Sequence, residues 1–135
     1  MLSLKKVQKM KAAYKESHRY FADAEELLRE KAGRENGFYL GKKYVCLAGH
    51  AAWMGVLQAV DGYLALKNVK KTKGRKSKEW YEEQLSKLNK KLNTAFIIAY
   101  DGLHLSMSYD GYQNVKAARA ALEDGLKVVR LCERG

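Results

Sequence analysis

The sequence predicts an all-α fold: an antiparallel, up-and-down bundle of four helices forming a single domain over residues 1–135. Three observations predict it. Proline is absent from all 135 residues. Apolar residues return at intervals of three and four through four long segments, the period of an amphipathic helix and not of a strand. The breaks between those segments are short, so successive helices run antiparallel. Hydrophobic residues make up 47% of the chain and charged residues 30%, the balance of a folded domain and not of a disordered one. A chain of this size buries roughly two thirds of its unfolded surface, enough for one core without disulfide or metal staples.

The first helix is expected over residues 5–32. Met10, Ala13, Ser17, Tyr20, Ala24 and Leu27 alternate at three and four, and Tyr14, Phe21 and Leu28 widen the stripe. Gly33 and Gly37 end it in a short turn. The second helix, residues 42–67, is apolar nearly all round. Ala48, Ala51, Gly55 and Gly62 line a small face that admits a close neighbour, and Trp53, Val56, Val60 and Leu64 line a large face that needs cover of its own. This is the expected central helix, with 47–66 its most buried part. The third, residues 78–107, begins at the N-cap Ser77 with Glu79, Glu82 and Glu83 in its first turns. Its stripe is Tyr81, Leu85, Leu88, Leu92, Ala95, Ala99 and Gly102, with Ile97, Tyr100 and His104 on the opposite side. The fourth, residues 113–132, uses Val115, Ala118, Leu122, Gly125, Val129 and Cys132. Apolar surface on both sides of the second and third helices exceeds what a four-helix core covers, which predicts a homodimer or a protein partner.

The formal charge is +11, and the surplus is local: seven basic residues and no acid lie between Lys67 and Lys78. Lys70, Lys71, Lys73, Arg75, Lys76 and Lys78 of this loop, residues 68–77 and the helix start beyond it, are the candidates for phosphate or nucleic-acid contact. The same run also reads as a solvated connector, and no aromatic residue interrupts it to stack on bases. Cys46 and Cys132 show no zinc spacing and read as buried thiols of a reducing cytoplasm, so neither a metal nor a cofactor is expected. The start of the chain has no apolar core of a secretory signal. The stretch from Leu47 to Leu66 is long enough to span a bilayer, but it holds His50, Gln58 and Asp61, so a bundle helix and no membrane segment is expected.

Four acid or base candidates stand out. His50 and Asp61 share one stripe of the second helix but lie roughly 16 Å apart along its axis, too far for a direct pair. Each is either bonded to a neighbouring helix or lining a polar pocket. The stretch from Tyr100 to Tyr112 is the densest in functional side chains. Within it, Asp101 and His104 are spaced i, i+3, so the carboxylate could orient the imidazole for acid–base work on RNA or a small phosphorylated ligand. Tyr100, Tyr109 and Asp110 are pocket candidates beside them, although Asp110-Gly111 also suits a helix-ending turn. No nucleophile has an identifiable spacing to this pair, so no catalytic residue is assigned.

The segments Tyr20 to Leu28, Lys43 to Ala52, Leu103 to Leu105 and Tyr109 to Gly111 together resemble a small family of bacterial helical proteins of unknown function. That family in turn resembles the HEPN and nucleotidyltransferase substrate-binding bundles. The resemblance implies an HEPN-like four-helix bundle, frequent dimerisation and, in some relatives, a nucleotidyltransferase partner or RNA cleavage. HEPN ribonucleases carry an Arg separated from a late His by four to six residues. Here the late His is His104, and Ala99, Ile98 and Ile97 occupy the positions of the Arg. No fixed cation is therefore available to hold a scissile phosphate by that route. The leading expectation is a non-catalytic HEPN-like binding or accessory module; the alternatives are an enzyme using Asp101 and His104, and nucleic-acid binding by the basic loop.

Overall fold

The computed structural model describes residues 3–70, 74 and 76–135. The fold is helical, with α1 (Leu4–Glu26), α2 (Lys42–Leu66), α3 (Lys78–Leu88), α4 (Lys90–Ala99) and α5 (Val115–Glu133). Two π-helical segments extend these: Leu27–Ala32 continues α1, and Tyr100–Tyr109 continues α4. Between α1 and α2, β1 (Arg34–Glu35) and β2 (Phe38–Tyr39) pair antiparallel.

The core is built around α2, which packs against α1, both π-helical segments, α4 and α5. Its small face works as its composition demands. A Cβ on Gly55 would sit 2.9 Å from the Ser17 carbonyl oxygen and 3.0 Å from the Phe21 ring, so α1 approaches to backbone contact. There the buried Ser17 hydroxyl donates a 2.7 Å hydrogen bond to the Gly55 carbonyl. Six residues earlier, a Cβ on Gly49 would lie 2.5 Å from Met107 Cβ, 2.7 Å from the Ser108 amide nitrogen and 2.9 Å from the Leu103 carbonyl oxygen. The large face is covered within the chain: Trp53, Val56, Val60 and Leu64 are all buried. The exposed apolar face expected on the second helix is therefore not there, because Trp53 packs against Phe96 and Tyr100, with ring centroids 5.3 and 5.5 Å away.

The third expected helix is two. Asn89 leaves the helical path with φ −161° and ψ 98°, and its side-chain oxygen accepts from the Leu92 amide to cap α4. Asparagine favours this bond over continuing a helix. The break rotates Leu88 out of the predicted stripe, leaving it 41% exposed. Ser77 caps α3 as expected, accepting from the Trp80 amide. The fourth stripe holds, with Ala118, Leu122, Gly125, Val129 and Cys132 buried. Cys132 is a buried thiol, whereas Cys46 is only partly covered.

The strands are the second departure from an all-helical expectation. Asn36 and Gly37 both have positive φ, 51° and 82°, the two-residue turn that matches strand twist and draws Asn-Gly. Tyr39 donates its backbone N–H to the Gln113 carbonyl at 2.7 Å, and Val115 donates to Gly37 at 2.9 Å. The hairpin thus straps the start of α5 to the end of α1.

Two outcomes follow for stability. Gly→Ala within a helix ordinarily adds up to about 1 kcal/mol, but at Gly49 the added carbon meets backbone that cannot yield. Gly49→Ala should lower unfolding free energy by about 2 kcal/mol in urea titration; a neutral or stabilising change would contradict the close approach. Burial pushes the Cys132 thiol up to about 12, with a smaller push from Glu133, and burial also holds the Tyr14 hydroxyl well above its ordinary range. Both groups are favoured neutral in the folded state and ionise more readily once unfolded. Their contribution is complete below about pH 9 and is lost as pH rises toward 12. The urea midpoint should fall between pH 8 and pH 11, and Cys132→Ala should make the fall shallower.

Candidate functional site

A cleft of about 330 Å³ opens between α2, the entry to α3 and the segment Tyr100–Tyr109. α2 contributes Trp53 and Leu57, the α3 entry contributes Lys76, Ser77, Lys78, Glu79 and Tyr81, and the π-helical segment contributes Tyr100 and His104. The aromatic side comes from the π-helical winding. Bonding from i to i+5 places more residues in each turn than an α-helix does, so positions four apart come nearly into line and positions three apart do not. Tyr100 and His104 accordingly stack, with ring centroids 5.1 Å apart, and His104 also lies 5.8 Å from Trp53. Asp101 is exposed. The i, i+3 argument for an Asp101 and His104 pair assumed α-helical winding, whereas the segment that carries them is π-helical.

The cationic side is held by internal partners. Lys76 donates from Nζ to Asp61 Oδ1 at 2.7 Å, and the Tyr81 hydroxyl donates to the same oxygen at 2.8 Å. With Lys76 only 22% and Asp61 36% exposed, this pair is shielded beyond the usual surface salt bridge. Burial first, and Asp61 second, hold the Tyr81 hydroxyl far above its ordinary range. Lys78 lies 3.2 Å from Glu82, and its ammonium sits 4.7 Å over the Tyr100 ring. The hydrogen bond to Glu82 holds Lys78 above the usual lysine range. The Ser77 hydroxyl is already committed as the cap of α3. These groups shape a recess with aromatic walls, and their polar atoms serve the fold before any ligand.

The structure brings Lys76, Lys78, Tyr100 and His104 together at this cleft, with Asp61 reaching it through its bonds to Lys76 and Tyr81, and disperses the other candidates. His50 is exposed on α2, so it shares no pocket with Asp61. Tyr109 is 81% exposed, and Asp110 is exposed where the helix ends. Gly111, φ 62°, completes that turn by donating to the Met107 carbonyl. Lys70 is exposed, while Lys71, Lys73 and Arg75 lie outside the described residues. Trp53, read from sequence as part of the large face of the second helix, and Leu57, which the sequence reading did not single out, line the cleft at i, i+4 spacing. Their spacing was visible, but their exposure to a recess depends on where α3 begins.

Among the described residues, no group of three or more His, Cys, Asp or Glu converges where a metal ion could sit, and no helix is long and apolar enough to cross a membrane. If Asp61 anchors the loop end, Asp61→Asn should speed tryptic cleavage at Lys76, whose side chain must leave its partner to enter the protease. The same substitution should bring the Tyr81 phenol down toward its ordinary range in an ultraviolet pH titration. Unchanged cleavage and an unchanged titration would contradict the anchor.

No curated protein matches this chain. Among solved structures it is similar to a protein of unknown function from Dyadobacter fermentans, 40% identical over 92% of this chain and 96% of that one, with a TM-score of 0.84. At that identity and coverage the two chains share their overall architecture. Residues 12–134 match the model of one family, and the chain belongs to it: Domain of unknown function (DUF5618).

Proposed function

We propose that this chain is a non-catalytic, HEPN-like binding or accessory module whose partner is a nucleotidyltransferase-like protein, held at the aromatic cleft. The observation that carries the reading is the state of the cleft's polar groups. Lys76, Lys78, Ser77 and Tyr81 are tied to Asp61, Glu82 and the α3 amide, while ring surfaces of Trp53, Tyr100 and His104 face the recess. A pocket with aromatic walls and a charged rim suits an anchoring side chain of a protein partner. Asp101, the acid of the alternative acid–base reading, is exposed and is not among the residues that line the recess. Counting α3, α4 and the π-helical segment as one broken helix leaves four legs, which supports the HEPN-like reading of the bundle. Self-association along the Ile97 side of the same helix is the homodimeric form of this proposal.

Co-expression with a nucleotidyltransferase-like protein tests the proposal. The two should co-elute in size exclusion, and Lys78→Glu, which reverses the rim charge but keeps the helix, should separate them without loss of helical circular dichroism. Cleavage of RNA or of a phosphoester by the purified chain, abolished in His104→Ala, would overturn the non-catalytic reading.

A further inference from the structure

A second cavity, also about 330 Å³, lies where the hairpin straps α1 to α5 and shares no lining residue with the first. Its lining is Glu25, Leu28, Arg29, Gly33, Arg34, Tyr39 and Arg119. Three guanidinium groups and one carboxylate therefore share one recess, a surplus of two positive charges. We propose that this cavity is a binding site for a small organic phosphomonoester, whose dianionic phosphate is held by Arg29, Arg34 and Arg119.

The three arginines reach the cavity from three separate elements, so their convergence is a property of the fold and not of a charged run. Arg34 and Tyr39 are directly opposite in the β1–β2 register, and residues paired across antiparallel strands project to the same face. Tyr39 is 4% exposed, which makes it the floor, while its backbone is fixed by the Gln113 carbonyl. Arg119 is held in place by Glu25, 2.6 Å from its Nη1, with the Tyr39 side chain beside it. Among the described residues Arg29 pairs with its neighbour in sequence, Glu30, at 3.0 Å, and both are more than half exposed. A pair so open to water contributes little and yields readily to a better acceptor. Guanidinium forks match phosphate oxygens two at a time, which a lysine ammonium does not.

Charge and size select the ligand class. A phosphomonoester carries roughly −1.5 to −2 at neutral pH, which neutralises the surplus; a lone carboxylate would leave half of it. The volume stands at the lower end of the small-molecule range, about 300 Å³ upward, so there is room for a compact organic part besides the phosphate. The lysine loop offers no such arrangement at its described end, because Lys76 and Lys78 are held by Asp61 and Glu82.

The test is calorimetric titration of the full chain at constant ionic strength with a nucleoside monophosphate, its unphosphorylated nucleoside and inorganic phosphate. One saturable site is expected for the monophosphate, with weaker binding of inorganic phosphate and none of the nucleoside. Arg29→Gln and Arg34→Gln, both at exposed positions, should each weaken binding about tenfold, the worth of a charged hydrogen bond. Glu25→Gln should tighten binding by removing the competing carboxylate. Arg130→Gln, an α5 arginine paired with Glu123 outside the cavity, should leave it unchanged. Absence of saturable binding, or equal loss in Arg130→Gln, would overturn the site. Equal affinity for inorganic phosphate and the monophosphate would overturn the organic ligand. Arginine-dependent binding of an RNA without terminal phosphate would also overturn it, in favour of nucleic acid.

Discussion

At the crossing of α1 and α2, the Ser17 hydroxyl reaches the Gly55 carbonyl at 2.7 Å because residue 55 has no side chain to keep the helices apart. The rest of the arrangement depends on that closeness. Ser17 is fully buried, and a buried hydroxyl without a partner is costly, so the bond fixes the relative height of the two helices as well as their separation. Gly49 does the same against the π-helical segment, where Leu103 and Ser108 present backbone to it. With two neighbours drawn in so tightly, the large side chains on the other face of α2 meet α4 and the Tyr100–Tyr109 segment within the chain.

That arrangement determines where chemistry can occur. Trp53 emerges from α2 at the edge of the packed region and gathers Phe96, Tyr100 and His104 around it. Tyr81 joins from α3, its ring 5.6 Å from Phe96 and its hydroxyl on Asp61. The cleft is thus the seam between the packed helices and α3, which leans mainly on α4. At the other end, the hairpin closes the arginine cavity with backbone hydrogen bonds to the segment before α5. One recess is walled by rings with its charges paired, and the other is lined by guanidinium groups in surplus.

Helix positions and most core residues were legible because burial follows a period that composition alone displays: Phe21, Ala24, Val56, Val60, Leu122 and Val129 all lie inside. Three features were not. The Asn89 break hides within an unbroken apolar stripe, since its cause is a side chain bonding its own backbone. The Asn36-Gly37 turn carried a hairpin signal, but two-residue strands have no period to notice. The π-helical winding leaves no mark in an apolar pattern read at α-helical spacing. Of the site residues, Tyr100, His104, Asp61, Lys76 and Lys78 were legible as chemical types. Their pairings, and the convergence of Arg29, Arg34 and Arg119, arise only when distant segments meet.

Native-state hydrogen exchange measures the central constraint most directly, because it reads the opening free energy of each helix separately. If the glycine contacts of α2 frame the fold, amides from Ala52 to Val60 exchange only through global unfolding, while those of α3 exchange through a smaller opening of lower free energy. Exchange of the α2 amides at the same free energy as α3, below that of global unfolding, would contradict the account.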